Sequence, residues 1–211
     1  RKWDGDVPDG AWPPMNEDGS RSPFIMNAEG MARLFAAGLA DGPVPEHYEP
    51  MESPMANLMS SQQSNPALDR PGKVDKSGLY YIATTCRVSE HWQSGTMTRN
   101  LPWLVELVPD RFVEMSEGLA KEKGINDGEM VTIISKRGSI QARALVTNRL
   151  KPFRVGGKLV EQIALPWHFG FNGPAKGDSA NVLTEAIGDP NTHIPEYKAF
   201  MCNIKKGGLT A

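Results

Sequence analysis

Ten of the seventeen prolines fall within residues 1–76: Pro8, Pro13, Pro14, Pro23, Pro43, Pro45, Pro50, Pro54, Pro66 and Pro71. Proline has no backbone N–H and a fixed φ, so a stretch this rich in it holds neither long helices nor central strands. The core of the 211-residue chain must therefore come mainly from residues 77–211. One short helix is compatible with the first third, over residues 28–39, with Asn27 as N-cap and Met31, Leu34, Phe35 and Leu39 as its apolar face. Trp3, Trp12, Phe24 and Tyr48 are large apolar groups that a free linker rarely carries. Residues 1–76 are read as an extended strap, its aromatics anchored on another domain or chain, and residues 77–211 as the folded domain.

From Ser77 the pattern changes to short strands and turns. Strands are expected over residues 79–85, 112–115, 130–135, 139–147, 160–165 and 196–204, where β-branched and aromatic residues cluster in short runs. Pro102 and Pro109 bound a helical turn over residues 101–108. Ser116 caps a short helix that Gly124 ends. A further short helix is expected near residues 179–184. Between Gly124 and Val131, glycines flank a tight loop joining helix to strand, which permits positive φ at both ends. Lys136, Arg137 and Gly138 then turn the chain into a hairpin. That glycine-framed unit followed by a hairpin resembles the recurring unit of double-psi β-barrels. The fold expected is mainly β with short helices: a double-psi barrel preceded by an extended proline-rich segment.

The first strand runs into the stretch TTCRVSEHWQSGTMTR, residues 84–99. Arg87, Glu90, His91, Gln93, Ser94, Thr96, Thr98 and Arg99 crowd together too closely to share one outer face at either the helical or the strand period. Such a segment is a loop presenting polar groups. Its two arginines, its hydroxyls and the backbone N–H groups around Gly95 all donate to anionic oxygens, which suits a phosphate-bearing ligand. His91 and Trp92 suit a flat heterocycle.

A net charge of −2 argues against general nucleic-acid binding, which shows a basic face. No apolar run is long enough to span a bilayer. The charged, turn-rich start RKWDGDVPDG is not a signal peptide and lacks an initiator Met, which points to a processed chain or a segment of a longer one. Cys86 and Cys202 are too far apart for a local metal knuckle. Buried free thiols are the default reading, with a disulfide still open.

The stretches TTCRVSEHWQSGTMTR, FVEMSEGLAKEKGINDGEMVTIISKRGSI, ANVLT and PEYKAF resemble the C-terminal molybdopterin dinucleotide-binding domain of molybdenum- and tungsten-dependent oxidoreductases. With PFIMN, DGPVPEHYEP, LKPF and HFGFNG, the resemblance narrows to the catalytic subunit of respiratory-type formate dehydrogenases of the DMSO reductase superfamily, over essentially the whole chain. It implies a bis-molybdopterin guanine dinucleotide carrying Mo or W, used to oxidise formate to CO2 or the reverse. By the resemblance, cofactor contacts fall on Thr85, Cys86, Arg87, Val88, Glu90, His91, Trp92, Gln93, Ser94, Trp167, His168, Asn181, Tyr197 and Lys198. Arg87 and His91 stand first among them, Asn181 and Lys198 donate to pterin or phosphate oxygens, and Trp167 and His168 lie on the active-site side.

No catalytic or metal-ligating residue is expected within this chain. An iron–sulfur cluster needs closely spaced cysteines that are absent here, so it belongs to the remainder of the assembly. The partners implied are the rest of the catalytic subunit and an iron–sulfur electron-transfer subunit. The location implied is the periplasm, reached through a twin-arginine signal elsewhere in the polypeptide. Three other readings remain open at this level: a periplasmic nitrate reductase-type subunit, a non-catalytic double-psi binding module, and a self-processing decarboxylase cleaved between Gly138 and Ser139.

Overall fold

The computed structural model describes residues 52–54, 64–65, 70–71, 73–74, 78–170, 173–185, 194–195 and 197–208. Contacts divide the chain into two compact units, Arg1–Ala40 and Asp41–Ala211. The first unit, the expected helix over residues 28–39 and most of the proposed strap lie outside the described residues.

Six strands close into a barrel: β1 (Tyr81–Cys86), β2 (Phe112–Met115), β3 (Met130–Ile134), β4 (Ser139–Val146), β5 (Gln162–Pro166) and β6 (Phe200–Lys206). Their order around it is β5, β1, β6, β3, β4, β2, and β2 pairs back onto β5. Two pairs are parallel, β1 with β5 and β2 with β4; the others are antiparallel. This is the mainly-β closed barrel with short helices that the double-psi reading expects. Closure leaves no edge open in the barrel sheet itself.

The core follows from period-2 alternation. Tyr81 and Ala83, Val113 and Met115, Val131 and Ile133, Ile140, Ala142 and Ala144, Ile163 and Leu165, and Phe200, Cys202 and Ile204 are all buried in one cluster. At roughly 25 cal/mol per Å² of apolar surface removed from water, this cluster is the main stabilising term of the fold. Cys202 lies in it and Cys86 at its margin, both as free thiols.

Helix α1 (Pro102–Leu107) has Pro102 in its first turn and buries none of its residues. Helix α2 (Glu117–Lys123) starts at Ser116, whose Oγ accepts the Leu119 N–H at 2.9 Å, and ends at Gly124 with φ 63°. Ile125 N–H reaches back to the Ala120 carbonyl at 2.9 Å, the six-to-one bond of a helix stop that needs a left-handed residue. Ser116 also donates to Glu161 at 2.7 Å. Ser116→Ala is therefore expected to destabilise the chain by about 1–2 kcal/mol, the range for a lost N-cap, measured by urea unfolding. A loss below ~0.3 kcal/mol would show that the cap contributes nothing here.

A hairpin of Phe153–Val155 with Lys158–Val160 precedes β5 and was not expected. Its signal was present: Gly156 and Gly157 both take positive φ, the two-residue turn that matches strand twist. The last strand begins at Phe200, later than the expected start at residue 196.

Candidate functional site

β1 and β5 run parallel with Cys86 opposite Pro166. Their C-terminal ends therefore lie side by side, and both release loops at the same rim of the barrel. One loop carries Arg87 to Ser94, the other Trp167 to Gly170. The stretch before β6 reaches the same place: Lys198 Nζ donates to the Thr85 carbonyl at 2.7 Å and lies 3.2 Å from Thr85 Oγ1. The 3-10 turn Ala180–Val182, capped by Ser179, joins them, because Gly170 packs so closely on Ser179 that an added Cβ would sit 2.8 Å from the Ser179 Cβ. Four stretches far apart in sequence thus meet at one rim.

The side chains there divide into two groups. Arg87, Trp92, Gln93, Ser94, Asn181 and Lys198 are exposed. Arg87 lies over the half-buried Trp167 ring, 5.4 Å from its centroid. No described carboxylate pairs with Arg87 or Lys198. Glu90, half-buried, accepts from Ser89 Oγ at 3.2 Å, and Tyr197 is half-buried. Thr85 is buried, and Val88 half-buried. Burial pushes the Cys86 thiol up, with Glu114 adding to the effect, so Cys86 is a protonated thiol and not a reactive thiolate.

The second group faces inward. His91 is buried; its Nε2 bonds the Val108 carbonyl at 2.8 Å, and its ring meets Phe169 edge-on at 5.6 Å. It does not turn outward beside Trp92. His168 is fully buried and stacks on Trp167, with ring centroids 5.6 Å apart. Its Nε2 accepts the Val88 N–H at 3.0 Å and its Nδ1 bonds the Gln93 carbonyl. Burial, together with His91, Arg87 and Arg111, holds its ring below the ordinary imidazole range.

Arg111 and Phe169 of this inner layer were not singled out from sequence, and Arg99, expected in the polar loop as a donor to anionic oxygens, turns inward instead. Arg99 is buried, directs Nε at the Gly95 carbonyl at 3.3 Å, and lies over Phe169 at 6.0 Å. Arg111 lies over the same ring at 5.1 Å, donating from Nε to the Asp178 carbonyl at 2.7 Å and from Nη1 to the Pro166 carbonyl. Burial lowers Arg111 to about 9. Phe169 carries the two guanidiniums and the His91 ring. Arg111 Nη2 and His91 Nδ1 are buried without a hydrogen-bond partner among the described residues.

A cleft of about 810 Å³ lies alongside, walled by Arg111, Arg143, Gly170, Gly177, Asp178 and Ser179 among others. None of the residues expected from sequence lines it. Among the described residues no group of three or more His, Cys, Asp or Glu stands close enough to hold a metal ion, and no helix is long and apolar enough to cross a membrane.

The model of the Molydopterin dinucleotide binding domain matches residues 81–201. The formate dehydrogenase subunit alpha of Megalodesulfovibrio gigas is 48% identical over 98% of this chain and 21% of that protein. The nitrate-inducible formate dehydrogenase major subunit of Escherichia coli K12 is 47% identical over 97% of this chain and 21% of that one. The chain thus spans about a fifth of the length of these relatives. Among solved structures, acetylene hydratase from Pelobacter acetylenicus superposes with a TM-score of 0.52 at 17% identity, covering 78% of this chain and 21% of that chain, a likeness of fold alone.

Proposed function

The chain belongs to the molydopterin dinucleotide binding domain family, and from that premise we propose that it forms one wall of the cofactor site in the catalytic subunit of a formate dehydrogenase. The observation that carries the reading is the rim itself, where Arg87 and Lys198 stand without described carboxylate partners beside exposed Trp92, Gln93, Ser94 and Asn181. A guanine dinucleotide brings an anionic pyrophosphate and a flat, hydrogen-bonding heterocycle. The cations suit the first, and the amides, hydroxyl and indole suit the second. His91, His168 and Tyr197 serve this rim from beneath, and Thr85 and Cys86 form its floor.

When bound, the bis-molybdopterin guanine dinucleotide, with Mo or W, supplies the two-electron chemistry that interconverts formate and CO2. This chain's residues bind and orient it. The groups that touch the metal and the substrate, and the iron–sulfur centre that carries electrons away, belong to the remainder of a periplasmic assembly. Met97, Leu101, Trp103 and Leu107, all large and exposed, form the surface on which we place that remainder: the relatives continue for about four-fifths of their length beyond the matched part.

The test is to purify the full-length polypeptide, release its cofactor with acid, and identify guanine nucleotide, pterin and metal while following formate-dependent dye reduction. Protein free of guanine nucleotide would overturn the reading. Arg87→Gln is expected to lower cofactor affinity by ~10-fold, about the value of one charge-assisted hydrogen bond. It is expected to change stability by less than ~1 kcal/mol, because its intrachain contact is one exposed cation–π pair.

A further inference from the structure

We propose that His168 is a positioning residue, whose imidazole clamps the Val88 to Gln93 loop onto the end of β5 and holds it in the form that receives the dinucleotide. The inference rests on the function proposed above. Its local part, the clamp, stands on the geometry alone.

Within this loop only His91 is fully buried, against Phe169 and the Val108 carbonyl, so the loop's own residues fix its middle and not its ends. Here one side chain closes it from both ends. The Val88 N–H can only donate, so His168 Nε2 presents a lone pair to it. With Nε2 an acceptor, the neutral ring carries its proton on Nδ1, and that N–H donates to the Gln93 carbonyl. The two bonds reach across 80 and 75 residues of sequence. They bridge the two ends of one loop with a rigid five-membered ring, and no other side chain among the described residues does so.

The backbone of the same residue completes the contact. Gly95 lies against the His168 carbonyl so closely that an added Cβ would stand 2.3 Å from that oxygen. The loop is also strained: Gln93 has φ 52°, the only positive φ outside glycine among the described residues. A left-handed residue of this kind is disfavoured by its Cβ and persists where surroundings over-determine it. The clamp supplies that determination at the residue whose carbonyl it grips.

The groups facing the ring fix the sign of its pH response. Arg87 and His91 face it from the loop and Arg111 from the start of β2, and burial acts in the same direction. Together these outweigh the Gln93 carbonyl, which favours the imidazolium, so the ring is neutral and both bonds are present above the ordinary imidazole pKa of about 6.5. In the unfolded chain the ring takes up a proton near that pH; in the folded chain it does so lower. The stabilisation is therefore complete above about 6.5 and is lost as pH falls through the lowered folded value. Protonation places a second N–H where Nε2 must accept, and the Val88 bond breaks.

The experiment is hydrogen exchange on the cofactor-loaded full-length polypeptide, read on peptides spanning residues 86–97, with guanine nucleotide content assayed on the same samples. His168→Phe keeps a planar ring and removes both bonds. Exchange in the loop is expected to rise by about tenfold, the equivalent of one to two lost hydrogen bonds, while barrel-strand peptides stay protected. His168→Asn, which can keep the donor to Gln93, is expected to fall between. Where His168→Phe does not fold, the unmutated protein carries the test: after correction for intrinsic rates, its loop should lose protection as pH falls below the ordinary imidazole value of about 6.5, and should do so before the barrel strands lose theirs.

Unchanged loop exchange in His168→Phe, or a loop in the unmutated protein that keeps its protection until the barrel strands unfold in acid, overturns the clamp. Loss of nucleotide without a change in loop exchange also overturns it, by making His168 a direct cofactor contact. Unmutated protein that lacks guanine nucleotide, yet whose loop loosens on substitution, supports the clamp and overturns the cofactor reading.

Discussion

Arg137→Ala is expected to destabilise the chain by about 3–5 kcal/mol, the cost of leaving a buried charge without its partner. Glu52 is 7% exposed. Its carboxylate receives Arg137 Nη1 at 2.6 Å and Nη2 at 3.0 Å, and the Met201 N–H at 2.7 Å. The fork-to-fork geometry satisfies both oxygens at once. Arg137 also donates from Nε to the Leu183 carbonyl at 2.8 Å. One guanidinium at the β3–β4 turn thus ties Glu52, from the proline-rich region, to β6 and to the stretch that follows Asn181. Alanine leaves the carboxylate with one N–H donor and little water. Urea unfolding of Arg137→Ala and Glu52→Gln singly, and of the two together, separates the pair from its parts. A cost near that of an exposed pair, below ~1 kcal/mol, would show that water replaces the arginine and that the tie is dispensable.

What could be read beforehand follows from the range of each signal. Strand alternation and helix stops are local, so β2, the Ser116 cap and the Gly124 stop fall where the residues place them. Gly156 and Gly157 carried the same kind of local signal for the extra hairpin. The polar loop expected within residues 84–99 was equally local, though residues 84–86 belong to β1 and the stretch ends in a 3-10 turn, Thr98–Asn100. The direction in which its side chains point was not. His91 and Arg99 belong to a mostly polar segment, yet they turn inward to Phe169, which lies some 70 residues further along. His168 finds its partners in Val88 and Gln93, and Arg111 in Pro166 and Asp178. Such pairings are products of parallel strand order, which places Cys86 beside Pro166. No periodicity encodes them, and a buried arginine in sequence looks like any exposed one.

The same reasoning singles out Gly95, where the largest effect on the rim is expected. Gly95→Ala should cost more than about 3 kcal/mol and empty the site of cofactor. Two terms add. With φ at 75°, any L-residue pays about 1–2 kcal/mol for the left-handed conformation. The new Cβ would also stand 2.3 Å from the His168 carbonyl oxygen and 2.9 Å from Arg99 Nε. Arg99 is a side chain and can shift. The carbonyl belongs to the chain leaving β5, whose neighbouring groups are held by Arg111 and by β1, so the loop must lift instead. Gly124→Ala provides the comparison. That glycine also has positive φ, at 63°, but nothing within 4 Å of an added Cβ. It should therefore show the conformational term alone, about 1–2 kcal/mol. Unfolding free energies of the two variants, with guanine nucleotide content of each, decide the matter. Equal costs would mean that the loop does not need its close approach to His168, and that the inner layer does not hold the rim in shape.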